Sequence, residues 1–410
     1  MRNLFRMALH FTSVAIMGGG LSGPILALSL QKLGIKATIY ESRPKHYPQP
    51  GTIVLIPNSL RILDRLGVLS AIKEGAFAFN LFNLVKKDGS MIGRLIMGSE
   101  ERYGYTALRV YRDKLRSALL DAAEKSGVEV KYGMRCTGIE TETSSQATAT
   151  FENGEKAQVD LIVGADGVNS KVRAHIHPDI ASEYTGGMFI TGSLGRKDLG
   201  NVEWPLPCVI PGPAGQFALA PADENGEVFT FFAWINGQER TREEWRVLGA
   251  NKEELRKIIQ PYDSDAYPDV VRALVTEIPL DGLGCWPFQI VPKVETYVSD
   301  IGRVAIIGDA AHASKPNGGQ GGSVSLEDAA TLTIAIKKAN TKENFGEARE
   351  VLAKWDSIRV QRIEQVVKAP MGMGMNMGSD DPFAKEGWTK EDDQLFWLYG
   401  YDTEDFEEAL

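Results

Sequence analysis

Three stretches of this chain carry an unbroken apolar run that stops at a glycine: residues 13–17 (SVAIM), 161–163 (LIV) and 303–308 (RVAIIG). Apolarity without alternation over so few residues predicts strands buried on both faces, as in a parallel sheet. After the first run the pattern predicts a helix over 21–33, stopped at Gly34, and a second strand over 35–41 (IKATIYE). A strand, helix and strand within roughly 30 residues is the length of a parallel crossover. Residues 112–126 predict an amphipathic helix, with Leu115, Ala118, Leu119, Ala122 and Ala123 on one face. Asp113 stands in its first turn, Lys125 in its last, and Gly127 stops it. A strand over 128–132 and a hairpin over 138–159 follow.

From 182 to 298 the texture changes: prolines, aromatic residues and glycine turns become dense. Residues 216–220 and 228–235 read as strands of a mostly antiparallel sheet. Strand side chains alternate faces. Phe189, Trp204, Phe217, Phe229, Phe231, Phe232, Trp234, Trp286 and Phe288 should therefore divide between a helix-covered core and a flat apolar cavity. The run at 303–308 returns to the buried-strand style, so the first domain is discontinuous. The expected fold is α/β. A Rossmann-like domain with a parallel sheet (1–76, 105–181 and 300–340) is interleaved with a mostly antiparallel β domain (77–104 and 182–299). C-terminal helices and an acidic tail (341–410) follow. Long helices are expected over 323–338 and 343–368, and the glycine-broken MGMGMNMG at 371–378 reads as a loop.

Composition adds limits. The 410 residues can bury a sizeable core and amount to two or three domains. Cys136, Cys208 and Cys285 are isolated, which argues against disulfides or a zinc site and suits a reducing, cytoplasmic setting. No apolar run is long enough to span a membrane. The net charge is −9, and residues 379–410 hold eleven acids against Lys385 and Lys390, so the rest of the chain is neutral overall. No basic stripe suits nucleic acid. The acidic tail reads as a solvated segment, and residues 1–12, with Arg2 and Arg6, as a plain extension before the first strand. A monomer or homodimer is expected.

The candidate chemistry lies where the buried runs end. Gly18, Gly20 and Gly23 form GxGxxG between strand and helix: a tight turn, close backbone approach to a pyrophosphate, and close helix packing. Glu41 ends the second strand, where an acid accepts bonds from a ribose. By itself this leaves NAD and FAD both open.

Two further segments, GADGVNSKVR (164–173) and GDAAHASKPNGGQGG (308–322), complete a series. In this order it resembles the class A FAD-dependent aromatic-ring hydroxylases, the p-hydroxybenzoate and salicylate hydroxylase-like flavoprotein monooxygenases. The likeness runs over about residues 12–370, and the ending LYGYDTEDFEEAL is similar to the fungal secondary-metabolite type. The resemblance implies non-covalent FAD, reduction by NADPH or NADH, and reaction with O2 through a C4a-hydroperoxyflavin. One oxygen atom then enters an aromatic or polycyclic small molecule, by hydroxylation or epoxidation.

On the cofactor the resemblance places Gly18, Gly20, Gly23 and Glu41, then Arg112 of YRDKL at the pyrophosphate, with Arg43 and Arg109 as further candidates. It adds Asp166 with Arg173 in the Asp-Gly motif, Asp309 on the ribityl chain, and Gly321 and Gly322 beneath the ring. Relatives usually have Ala-Asn or Val-Asn after Gly321; here Gly322-Ser323 stands instead. Pro316 and Arg196 are the candidates beside the substrate, while His312 is expected to pack in the core without chemistry. Alternatives are a flavin-binding interaction protein, or an NAD(P)H oxidase with no dedicated substrate.

Overall fold

Residues 304–306, 161–164, 13–17, 36–41 and 129–132 lie side by side, in that order, as one all-parallel sheet. The computed structural model describes residues 9–198, 204–315, 319–369, 373, 375–378, 380–383 and 388–410. Ala15, Ile16, Leu161, Ile162, Val163 and Ala305 are fully buried, as continuous apolar runs require. Helices Ser22–Lys32, Arg112–Lys125 and Gln320–Ala339 pack together against this sheet. Its other side is covered by an antiparallel meander, Cys136–Glu142, Ala147–Phe151 and Lys156–Val159, where Phe151 stacks on Tyr40 at 4.7 Å. The hairpin expected over 138–159 is thus three strands. Two turns fall within it, one at 143–146 closed by the Thr143 amide on Gln146 O, the other at Gly154 with φ +84°.

The second sheet has eight strands. Its order is Gly284–Ile290, Glu183–Gly195, Val228–Asn236, Gly215–Pro221, Cys208–Gly212, Leu81–Val85, Met91–Ile96 and Met375–Met377. All neighbours are antiparallel except Cys208–Gly212 with Leu81–Val85. Phe217, Phe229 and Phe231 are buried with helices Arg242–Ala250, Lys252–Ile259 and Asp269–Glu277. The opposite face gathers Phe189, Phe232, Trp234 and Phe288, with ring centroids 4.6–5.3 Å apart. Phe77–Phe79 joins neither large sheet; it pairs with Ala107–Tyr111, which also pairs with Thr52–Leu55.

Two expectations are corrected. Part of the methionine cluster is an edge strand, Met375–Met377, bonded to Met91–Ile96, because that edge offers unpaired backbone groups that an extended segment satisfies. The tail is docked rather than solvated: Leu395, Leu398, Tyr399 and Phe406 are 2–3% exposed. Several of its acids find partners. Asp393 accepts from the Tyr103 hydroxyl at 2.7 Å, Asp402 from Arg65 Nη2 at 2.6 Å, and Glu407 lies 3.1 Å from Lys337. Counting charge hid the apolar residues set between the acids.

A buried ion network locks the two long C-terminal helices, Gln320–Ala339 and Phe345–Lys368. Glu327 accepts from Arg359 (3.0 Å), Arg362 (3.0 Å) and Asn58 (2.7 Å). Asp328 accepts from Arg359 (2.9 Å) and from the Gly308 amide (2.8 Å), and His312 Nε2 lies 2.5 Å from it. His312 is therefore committed to the core, as expected.

Candidate functional site

Gly18, Glu41, Ala165 and Asp309 all lie at or just beyond the carboxyl ends of neighbouring parallel strands, the usual position of a ligand crevice in an open α/β sheet. The three motif glycines differ in what surrounds them. A Cβ on Gly18 (φ +116°) would meet Ala165 O at 2.2 Å, and one on Gly23 would meet Gly18 O at 2.1 Å; at Gly20 no described residue lies within 4 Å. The outer two are required for packing, and the middle one leaves backbone open to a ligand.

Glu41 accepts from the Gly19 and Arg43 amides, both at 2.8 Å. Beside it lies a residue the sequence reading missed. Arg116, 2% exposed, donates from Nε to Gly19 O at 2.9 Å, while its Nη2 sits 3.7 Å from Glu41 and has no hydrogen-bond partner among the described residues. A buried guanidinium N–H without an acceptor is costly. Its place, next to the glycine turn and an acid, suits an oxygen of a bound nucleotide. A signal was present: Arg116 falls on the stripe of Leu119, Leu120 and Ala123 that the helix buries, where an arginine has no reason to be unless it has a partner.

Arg112 opens the same helix; its amide donates to Gly51 O at 3.1 Å and its guanidinium lies 4.9 Å from the Trp286 ring. Burial lowers its pKa, with Asp309 opposing. Asp309 faces solvent inside a cleft whose walls crowd it. That crowding raises its pKa, and His312 and Arg112 act against it. Helix Gln320–Ala339 starts here, after Gly319 with φ +71°, and its first-turn amides lack helical acceptors. Among the described residues nothing stands within 4 Å of a Cβ at Gly321, whereas one on Gly322 would come 2.7 Å from Ile53 Cδ1. Gly321 is therefore the open glycine, and Gly322, expected beneath the ring, is a packing glycine. Ser323 Oγ and Thr52 Oγ1 are buried nearby and unpartnered among the described residues.

The other expected residues lie elsewhere or are already occupied. Asp166 uses both oxygens on its own turn, accepting from Ser170 Oγ (2.5 Å) and the Lys171 amide (2.7 Å). Arg173 ties that turn to Ala310 O at 2.8 Å. Arg109 is 3% exposed and clamps Ala220 O (2.7 Å) and Pro221 O (2.8 Å), joining the small sheet to the large one. Arg43 is exposed and lies over Tyr47. Arg196 does not reach the cleft: it is exposed, donates to Gly226 O at 3.1 Å, and lies over Phe229, a ring of the helix-covered face. Pro316 lies outside the described residues.

One elongated site thus joins the Gly20 turn, Glu41 with Arg116, Arg112 with Asp309, and the Gly321 helix start. The orphaned Arg116 and Ser323 atoms, and two glycines facing open space, fit a dinucleotide ending in a flat ring. Among the described residues no cluster of ligands could hold a metal ion, and no helix is long and apolar enough to cross a membrane.

The profile of the FAD binding domain family matches residues 11–370. A 3-amino-4-hydroxybenzoate 2-monooxygenase of Streptomyces platensis is 27% identical, over 96% of this chain and 97% of that protein. The hispidin-3-hydroxylase of Neonothopanus nambi is 29% identical over 86% of each. Among solved structures, a salicylate hydroxylase substrate complex superposes with a TM-score of 0.73 at 20% identity, covering 98% of both chains.

Proposed function

Because the chain belongs to the FAD binding domain family, we propose that it is an FAD-dependent monooxygenase, drawing electrons from NADPH or NADH to place one atom of O2 on an aromatic small molecule. The observation that carries this reading is the convergence of four separated segments on one crevice at the carboxyl ends of the parallel strands. The aromatic hydroxylases among its relatives support the substrate class.

FAD, when bound, supplies the electron transfer and the activation of oxygen. This chain's residues hold and orient it. The Gly20 turn leaves backbone open to the pyrophosphate, Glu41 accepts from the ribose, and Arg116 and Arg112 bring charge-assisted donors. Asp309 takes the ribityl hydroxyls. The helix start at Gly321 offers amides and a partial positive charge where the flavin ring becomes anionic on reduction. The aromatic face of Phe189, Phe232, Trp234 and Phe288 helps to exclude water. Residues 1–76, 105–181 and 300–340 form the cofactor domain in this reading, and 77–104 with 182–299 the domain over the substrate.

Purified protein should be yellow, and acid precipitation should leave the colour in the supernatant. Arg112→Ala and Arg116→Met should each weaken FAD binding by about 1–3 kcal/mol, roughly 5- to 150-fold. Full flavin retention in both variants at low micromolar FAD, or failure of any aromatic compound to stimulate NAD(P)H oxidation, would overturn the reading.

A further inference from the structure

Behind the glycine-rich turn lies a chamber of about 400 Å3. Ala313 and Gln320, which lead into and out of the turn, form one wall; Val294 and Ile363 form another; Leu395 and Leu398 of the docked tail form a third. A dry apolar cavity of roughly 150 Å3 holds one benzene ring. This one, more than twice that volume, has room for fused rings.

The ionisable groups around it are nearly all committed. Lys293 and Lys368 both pair with Glu364, at 2.5 and 2.9 Å, at the rim. His312 is held by Asp328 at 2.5 Å, the Tyr399 hydroxyl donates to Ile96 O at 3.0 Å, and Lys315 is exposed. Among the described residues that line it there is no arginine, and Lys315, the one lysine not held by Glu364, is exposed, so no free buried cation is placed to neutralise a carboxylate. Burying a carboxylate unpaired is prohibitive. The exception is Tyr297, 3% exposed, whose side chain lines the chamber and whose hydroxyl has no hydrogen-bond partner among the described residues. Burial raises its pKa, so it stays a donor.

We infer that this chamber receives the substrate of the proposed monooxygenase and selects an uncharged scaffold of two or three fused rings, with one oxygen function accepting from Tyr297. The inference rests on the functional reading above only in calling the ligand a substrate. A benzoate carboxylate drawn inside would find no free buried counter-charge here.

The test titrates FAD-loaded protein with 2-naphthol, 1-hydroxyanthraquinone and 3-hydroxybenzoate, following both tryptophan emission and the flavin absorbance band. The fused-ring phenols should bind on the order of tenfold or more tighter than 3-hydroxybenzoate. Leu398→Trp, which fills the chamber, should cost the anthraquinone at least about tenfold with FAD content unchanged. Leu95→Phe serves if the tryptophan variant does not fold. Tyr297→Phe should weaken 2-naphthol but not naphthalene. Tighter binding of 3-hydroxybenzoate, unchanged fused-ring affinity in both filled variants, or equal losses for 2-naphthol and naphthalene in Tyr297→Phe would overturn the inference. Tryptophan emission reads binding without flavin, so a chain that binds fused rings but no FAD would sink the functional reading and leave the chamber standing.

Discussion

Gly321 and Gly322 are adjacent and chemically identical, yet a valine at each should fail in opposite ways. At Gly322 the new Cβ stands 2.7 Å from Ile53 Cδ1, with Leu21 Cδ1 next at 3.8 Å. The Ile53 methyl is the far end of a side chain, so an alanine could be relieved by rotation, at about 0.5–1.5 kcal/mol. A valine adds two branches against a core residue that is 8% exposed, and overpacking of that kind costs about 1–3 kcal/mol. At Gly321 no described residue lies within 4 Å, and replacing a helical glycine relieves backbone entropy of up to about 1 kcal/mol. Gly321→Val should therefore leave the FAD-free protein as stable as the parent or slightly more so. The side chain then occupies the space we assign to the flavin ring, so FAD affinity should fall, and whatever holoprotein remains should have an altered flavin midpoint potential. Gly322→Val should melt earlier with and without FAD but keep the parent potential in its folded fraction. Thermal melts of FAD-free protein, FAD titrations and dye-equilibrated potentials decide between them. Parent-like FAD affinity and potential in Gly321→Val would refute the placement of the ring over this helix start.

Two other outcomes follow from buried charge. Burial pushes the Asp356 carboxyl from 3.8 up to about 6, although it accepts from the Tyr297 amide at 2.6 Å. The folded chain therefore keeps a proton that the unfolded chain has released, and this stability is lost as pH rises from about 4 to 6. Asp356→Asn should raise Tm at pH 7.5, by at most ~3 kcal/mol in stability, with the gain shrinking toward pH 4; a gain independent of pH would refute the cause. Glu327→Ala leaves Arg359 and Arg362 buried without one of their carboxylates and should cost about 3–5 kcal/mol. A melting curve within a degree or two of the parent's would show that the network is not needed.

The parallel sheet was legible because its strands are buried on both faces and must be apolar throughout, so residues 13–17, 161–163 and 303–308 announced themselves. The second sheet was legible in kind but not in extent. Nothing local marks residues 81–85 as partners of 208–212, or 375–377 as the far edge; those pairings are set by distant segments competing for unpaired backbone. For the site, glycine and acid spacing pointed to segments that the fold brings to the ends of the parallel strands, since a turn's geometry is encoded locally. Which way a glycine's missing side chain would point is not. Gly321 and Gly322 look alike until Ile53 is seen beside one of them. Arg109 and Arg112 lie on the same short stretch, and only the fold shows that one clamps carbonyls while the other stands near Asp309.

The strand at 304–306 completes the parallel sheet by pairing with 161–164, and Asp309 and the Gly321 helix come only after it. On a ribosome adding about 5–20 residues per second, some 15–50 s separate the emergence of Glu41 from that of Asp309. From its own emergence until residue 304 follows, about 7–28 s at that rate, the edge of Leu161–Gly164 is an unpaired apolar strand, the kind of surface chaperones shield. FAD cannot be gripped at both ends before the chain has been made past Asp309. The cofactor then stabilises only the finished chain, so scarcity of flavin should lower the yield of soluble protein as well as its loading.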